Sequence, residues 1–245
     1  MKLKFLLILI VIIPFHAKSD QIYELIKIPN LKLYDSDKNG LRYFVPDKNF
    51  SAGLGINSVS CQKIDEGKLK KKFQLIQKNT AIYEREFLKK INLKFIVFCK
   101  NLTVSEIPAI GFANPEMKTI ILNVNSKEKI FQRVIHHEIF HVIHFNFKKF
   151  FDNKKWEKFN DSKFNYSLCL NCEKDDGLKP LKKINGFFTG YAKTSVSEDM
   201  AETFSFLILY KNYSLKKIKT DEILKKKVDF INENILNIYQ DFDFK

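Results

Sequence analysis

The chain has 245 residues, a formal net charge of +14 and 24 phenylalanines, enough apolar material for a substantial core. The charge is nearly all lysine: only Arg42, Arg85 and Arg133 are arginine, the lysines are scattered, and no arginine–aromatic interleaving or nucleic-acid motif occurs. Composition therefore speaks against a nucleic-acid partner. It leaves a weak general attraction to anionic envelope surfaces.

Residues 1–19 have the layout of a signal peptide. Basic Met1-Lys2-Leu3-Lys4 precedes an apolar run from Phe5 to Phe15, and Ala17-Lys18-Ser19 places small residues at the −3 and −1 positions of a cleavage site before Asp20. The run, broken by Pro14, is too short to span a bilayer readily. An uncleaved N-terminal anchor is the alternative. The expectation is an exported protein, periplasmic or secreted, whose cysteines Cys61, Cys99, Cys169 and Cys172 form disulfides. Cys61 with Cys99 and Cys169 with Cys172 is one of three connectivities, and sequence does not choose among them. Cys169-Leu170-Asn171-Cys172 has two other readings, half of a structural zinc site or a redox pair.

Residues 20–62 hold short strand-like runs, 22–28 and 41–45, with the turn Asp37-Lys38-Asn39-Gly40 between them. They read as a small N-terminal elaboration of a domain spanning 63–245. From 68 to 88 the residues Leu69, Phe73, Ile76, Thr80, Tyr83 and Phe87 recur at steps of four and three, a helical stripe that packs as ordinary core. Residues 93–99 read as a buried strand. Residues 110–113 and 118–124 flank Asn114-Pro115-Glu116-Met117, which predicts a hairpin. No internal repeat is evident.

The most informative residues follow. His137-Glu138-Ile139-Phe140-His141 is an H-E-x-x-H motif inside residues 127–147, a stretch without Gly or Pro and apolar on nearly every side. Histidines four apart project from one helix face about 5–6 Å from each other, close enough to grip one tetrahedral Zn²⁺. Glu138 sits beside the first histidine and can serve as general base without ligating the metal. Buried His and Glu side chains are costly unless paired or metal-bound, which favours the metal reading over a chance pair. His136 points about 100° away from His137, as a core group does, and His144 lies about 10 Å along the axis, too far to share the ion. No third histidine follows six residues on, so the third ligand comes from elsewhere.

Residues 190–204 read as a loop entering a helix that Ser195 or Ser197 can cap, with acidic residues in its first turn. Glu198 and Glu202 are four apart on one face. One can ligate while the other hydrogen-bonds the free nitrogen of a zinc-bound histidine. The competing reading is a solvated acidic face.

H-E-x-x-H together with Tyr191, seven residues before Glu198, and the run Glu198-Asp199-Met200-Ala201-Glu202-Thr203-Phe204 resembles the lethal-factor-type catalytic domain of anthrax toxin and related bacterial gluzincin metallopeptidases. The resemblance covers about Ile107 to the C-terminus. It implies His137, His141 and Glu198 as zinc ligands and Glu138 as base. It also implies Tyr191 as the phenol that stabilises the oxyanion or helps protonate the leaving amine, and Glu202 as the carboxylate behind a ligand histidine. A strand just before the H-E-x-x-H helix would pair with an extended substrate.

Residues 221–239 form a last helix, its stripe made by Ile223, Leu224, Val228, Ile231, Ile235 and Ile238. The combined expectation is an α+β, zincin-like fold: a small mixed sheet, an active-site helix and C-terminal helices. It would bind one Zn²⁺ per chain and hydrolyse a peptide or protein substrate through a zinc-activated water. The alternative is a non-catalytic, zinc-stabilised envelope binding protein.

Overall fold

The computed structural model describes residues 30–53, 58–167, 178–181, 183 and 185–244. The expected signal peptide, the 22–28 strand and the Cys169–Cys172 pair lie outside them.

Strands β1 (Leu31–Ser36) and β2 (Arg42–Pro46) form an antiparallel pair across a turn in which Gly40 takes φ +94°, a conformation open to glycine but strained for other residues. Strands β3 (Phe50–Ala52) and β4 (Val59–Gln62) follow, then helices α1 (Glu66–Thr80) and α2 (Arg85–Lys90). The ten-residue β5 (Phe95–Val104) is the spine of the sheet. Its first half pairs in parallel with β2 and with β8 (Thr119–Asn123), and its second half pairs antiparallel with β4 and with β6 (Ile107–Pro108). Strand β7 (Gly111–Asn114) pairs antiparallel with β8 and ends that side of the described sheet. The sheet is therefore mixed, and the strands between residues 31 and 62 share it with β5. Burial of Phe95 to Cys99 on both faces explains why that stretch reads as a continuous apolar run.

The helical stripe predicted over 68–88 is split. Helix α1 ends at Thr80, whose hydroxyl donates back to the Ile76 carbonyl, and Asn39 Nδ2 takes the freed carbonyls of Thr80 and Tyr83. Leu69, Phe73, Ile76, Thr80, Tyr83 and Phe87 are all buried even so. Cys61 and Cys99 form a disulfide joining β4 to β5, with Cα atoms 5.3 Å apart.

Helix α3 (Glu128–Asn146) lies under β7 and β8 and packs most extensively on α5 (Val196–Leu209). A short helix α4 (Asn153–Glu157), α6 (Lys211–Lys217) and α7 (Glu222–Ile238) complete the helices of the described residues. Ser195 is the cap of α5, its hydroxyl accepting from the Glu198 N–H at 3.2 Å; Asp221 caps α7 in the same way. Helices α4 and α6 were not anticipated, being too short for a periodic signal. One core, including Phe98, Phe140, Phe204 and Ile231, runs from the sheet through α1, α3, α5 and α7. None of the described helices is long and apolar enough to cross a membrane.

Candidate metal centre

Two turns of α3 and the first turn of α5 bring the candidate ligands together. His137 Nε2 lies 3.0 Å from His141 Nε2 and 2.8 Å from Glu198 Oε2, and His141 Nε2 lies 3.5 Å from that same oxygen. Four donors arranged tetrahedrally about 2.0–2.1 Å from a Zn²⁺ stand about 3.3 Å apart, so the trio fits such an ion. The donor chemistry agrees: two imidazole nitrogens and one carboxylate oxygen, His137 buried and the other two half-buried. Burial pushes the His137 imidazole down, but its hydrogen bonds to the Glu198 and Glu202 carboxylates overcome this and raise its pKa to about 10.

The other ring nitrogens are fixed as zinc ligands require. His137 Nδ1–H donates to Glu202 Oε1 at 3.1 Å, while Glu202 Oε2 accepts from the Thr189 hydroxyl at 2.7 Å. Burial favours the neutral Glu202 carboxyl, yet the Arg133 guanidinium and the His137 bond outweigh that and lower its pKa. Arg133 Nε stands 3.5 Å from Glu202 Oε1, and neither Nε nor Nη2 makes a hydrogen bond. His141 Nδ1 lies 3.2 Å from the Ser197 hydroxyl, which in turn is 3.3 Å from His144 Nδ1.

Glu138 and Tyr191 line the same cleft as the ligands, a cavity of about 490 Å³. Glu138 is buried against β7 and its carboxylate accepts the Ala113 N–H; burial raises its pKa, and the charges of His141 and His137 partly offset this. Tyr191 begins a short 3₁₀ turn, Tyr191–Lys193, that leads into α5, and its ring centroid lies 5.9 Å from that of His137. All six candidate residues thus converge: His137, Glu138, His141, Tyr191, Glu198 and Glu202.

His136 belongs to the core, as its direction on the helix implied. Tyr83 donates to its Nδ1 at 2.6 Å and its Nε2–H faces Asn79 Oδ1 at 3.2 Å. Four participants escaped the sequence reading. Ser197 was seen only as a possible cap, and Arg133, one turn before His137 on the same face, carried a signal in its spacing. Thr189 gave none. Gly111 did: an isolated glycine in a strand marks close approach of the backbone, and here a Cβ would run into Glu138 Oε1.

A mixed sheet backed by a helix bearing two histidines, with a glutamate from a second helix, defines an α+β protein with a group that could hold a metal ion. Residues 68–243 match the model of a family described as "Putative zinc-binding metallo-peptidase", and the chain belongs to that family. Its fold is similar to the crystal structure of a "putative zinc-binding metallo-peptidase" from Bacteroides caccae, with a TM-score of 0.50 at 17% identity, over 84% of this chain and 83% of that one. No curated protein matches the sequence significantly.

Proposed function

We propose that the chain is an exported zinc-dependent peptidase of the lethal-factor-type gluzincin kind. His137, His141 and Glu198 would hold one Zn²⁺, with Glu202 fixing His137. Zn²⁺ in that place supplies Lewis acidity toward a water and toward the carbonyl to be attacked. Glu138 accepts the proton of the attacking water. The burial that raises its pKa also suits it to carry that proton and release it to the leaving amine. Tyr191 presents its phenol to the same cleft and donates to the oxyanion that develops on the carbonyl. Strand β7 lines the cleft and pairs with β8 alone among the described strands, leaving its other edge for an extended peptide.

The observation that carries this reading is the placement of Glu138 in the cleft beside the three ligands. A purely structural zinc site has no use for a carboxylate there. Export is supported by the layout of residues 1–19 and by the Cys61–Cys99 disulfide. The test is chelation and reconstitution. A mixed peptide library should be cut by the zinc-loaded protein, spared after chelation and cut again when zinc is restored. Full zinc with no cleavage would leave a zinc-stabilised binding protein instead.

A further inference from the structure

The cleft continues past the ligands along the C-terminal half of α3. His137, Glu138, His141, His144 and Phe145 line it from α3 at helical spacing, Lys148 lines it from the turn just past the helix end, and Val104, Phe112 and Pro115 line it from the sheet side. Phe145 is 40% exposed, in a molecule that buries most of its large aromatic side chains, and the Lys148 ammonium stands 4.7 Å from its ring centroid. An exposed ring with a cation over it, set in a cleft, is a contact surface for something. Among the described residues lining the cleft, the only carboxylates are Glu138 and Glu198, and both are committed at the metal centre. Lys148 is therefore the charge that a bound segment meets at this end.

We infer that this end of the cleft is a specificity subsite for an acidic side chain, glutamate-like in having an apolar stem and an anionic tip. The stem packs on Phe145 and Phe112, and the carboxylate reaches the Lys148 ammonium. Phe145 lies about 6 Å along the helix axis from His141, and Lys148 sits in the turn just past the helix end. Extended peptide advances about 3.3–3.6 Å per residue, so the side chain read here stands about two to three residues from the scissile bond. The inference rests on the peptidase reading and narrows its substrates to acidic peptides, in keeping with a chain of net charge +14.

The experiment uses peptides identical except for Glu, Gln or Lys placed two or three residues from the cut, on either flank. Cleavage is measured with the zinc-loaded wild type and with Lys148→Glu. Binding is measured with zinc-loaded Glu138→Gln and with the same variant carrying Lys148→Glu. On one flank the Glu peptide should be preferred about three- to fivefold over Gln, the range of an exposed ion pair, and by about tenfold over Lys. High salt should shrink the preference, and Lys148→Glu should reverse it at unchanged zinc content. Cleavage or binding with no charge preference on either flank, or a preference that Lys148→Glu leaves intact, overturns the subsite. Charge-selective binding without any cleavage would uphold the subsite and overturn the peptidase reading.

Discussion

His137 and Glu202, 65 positions apart in the chain, meet through a 3.1 Å hydrogen bond between Nδ1 and Oε1, and this bond turns the opposite face of the imidazole toward Glu198 and His141. Thr189 and Arg133 steady the carboxylate from its other sides. The two glutamates of α5 thus have different expected roles, one facing the place an ion would take and one facing the back of His137. Losing a ligand should remove most metal affinity, whereas losing the residue behind it typically costs about 10–100-fold. Glu198→Ala should be isolated largely as apo protein. Glu202→Ala should fill when zinc is in excess, at reduced activity. Parallel metal titrations check this, and a more severe loss in Glu202→Ala would exchange the two roles.

Gly111 is required for space. A Cβ built there would fall 2.5 Å from Glu138 Oε1 and 2.5 Å from Val134 Cγ1, nearer than real contacts allow. Gly111→Ala should therefore displace Glu138 and lower kcat at least about tenfold, since misplacing a reacting group by about 1 Å can cost 100-fold. Zinc content should stay at the wild-type level, because the ligands are not touched. Wild-type kcat in the variant would show that Glu138 tolerates the displacement.

The buried pair Asp199–Lys227 ties α5 to α7, with Asp199 next in the chain to Glu198. Lys227 Nζ lies 2.6 Å from Asp199 Oδ2, an oxygen that also accepts from Trp156 Nε1 at 2.8 Å and Tyr166 OH at 2.6 Å. Both charges are fully buried. Removing one partner strands the other, at a cost of about 3–5 kcal/mol. Lys227→Met should lose that much in denaturant unfolding of the metal-free protein. A change under about 1 kcal/mol would mean that the buried Asp199 is not left stranded.

Stability should fall in acid through His136. Burial pushes its pKa down to about 3, against about 6.5 in the unfolded chain. Between these values the unfolded chain binds a proton that the native state excludes. The contribution to stability is thus whole above about pH 6.5 and is lost as pH falls toward about 3. In metal-free protein the loss of unfolding free energy between pH 7 and 4.5 should be smaller in His136→Gln than in wild type. Equal losses would show that His136 does not couple to the proton.

What the sequence revealed follows the range over which each signal acts. The spacing of His137 and His141 is a helical fact, and so is that of Glu198 and Glu202. The hairpin of β7 and β8 is announced by Asn114-Pro115-Glu116-Met117. By contrast, the parallel partnership of β5 with β2 and β8 is a tertiary choice that no local pattern encodes. The break after Thr80 depends on Asn39, some forty residues away, taking two carbonyls. Thr189 and Ser197 are invisible for a related reason: a hydroxyl becomes important only once folding has set it beside Glu202 or His141.

The most direct test of the account is Glu138→Gln, measured for zinc content and for turnover on one peptide that the wild type cuts. The substitution keeps the size of the side chain and leaves His137, His141 and Glu198 in place, so it removes the base and no ligand. The account predicts about one Zn²⁺ per chain in both proteins and loss of nearly all hydrolysis in the variant. A zinc-loaded Glu138→Gln protein that cuts the peptide as fast as wild type would contradict it.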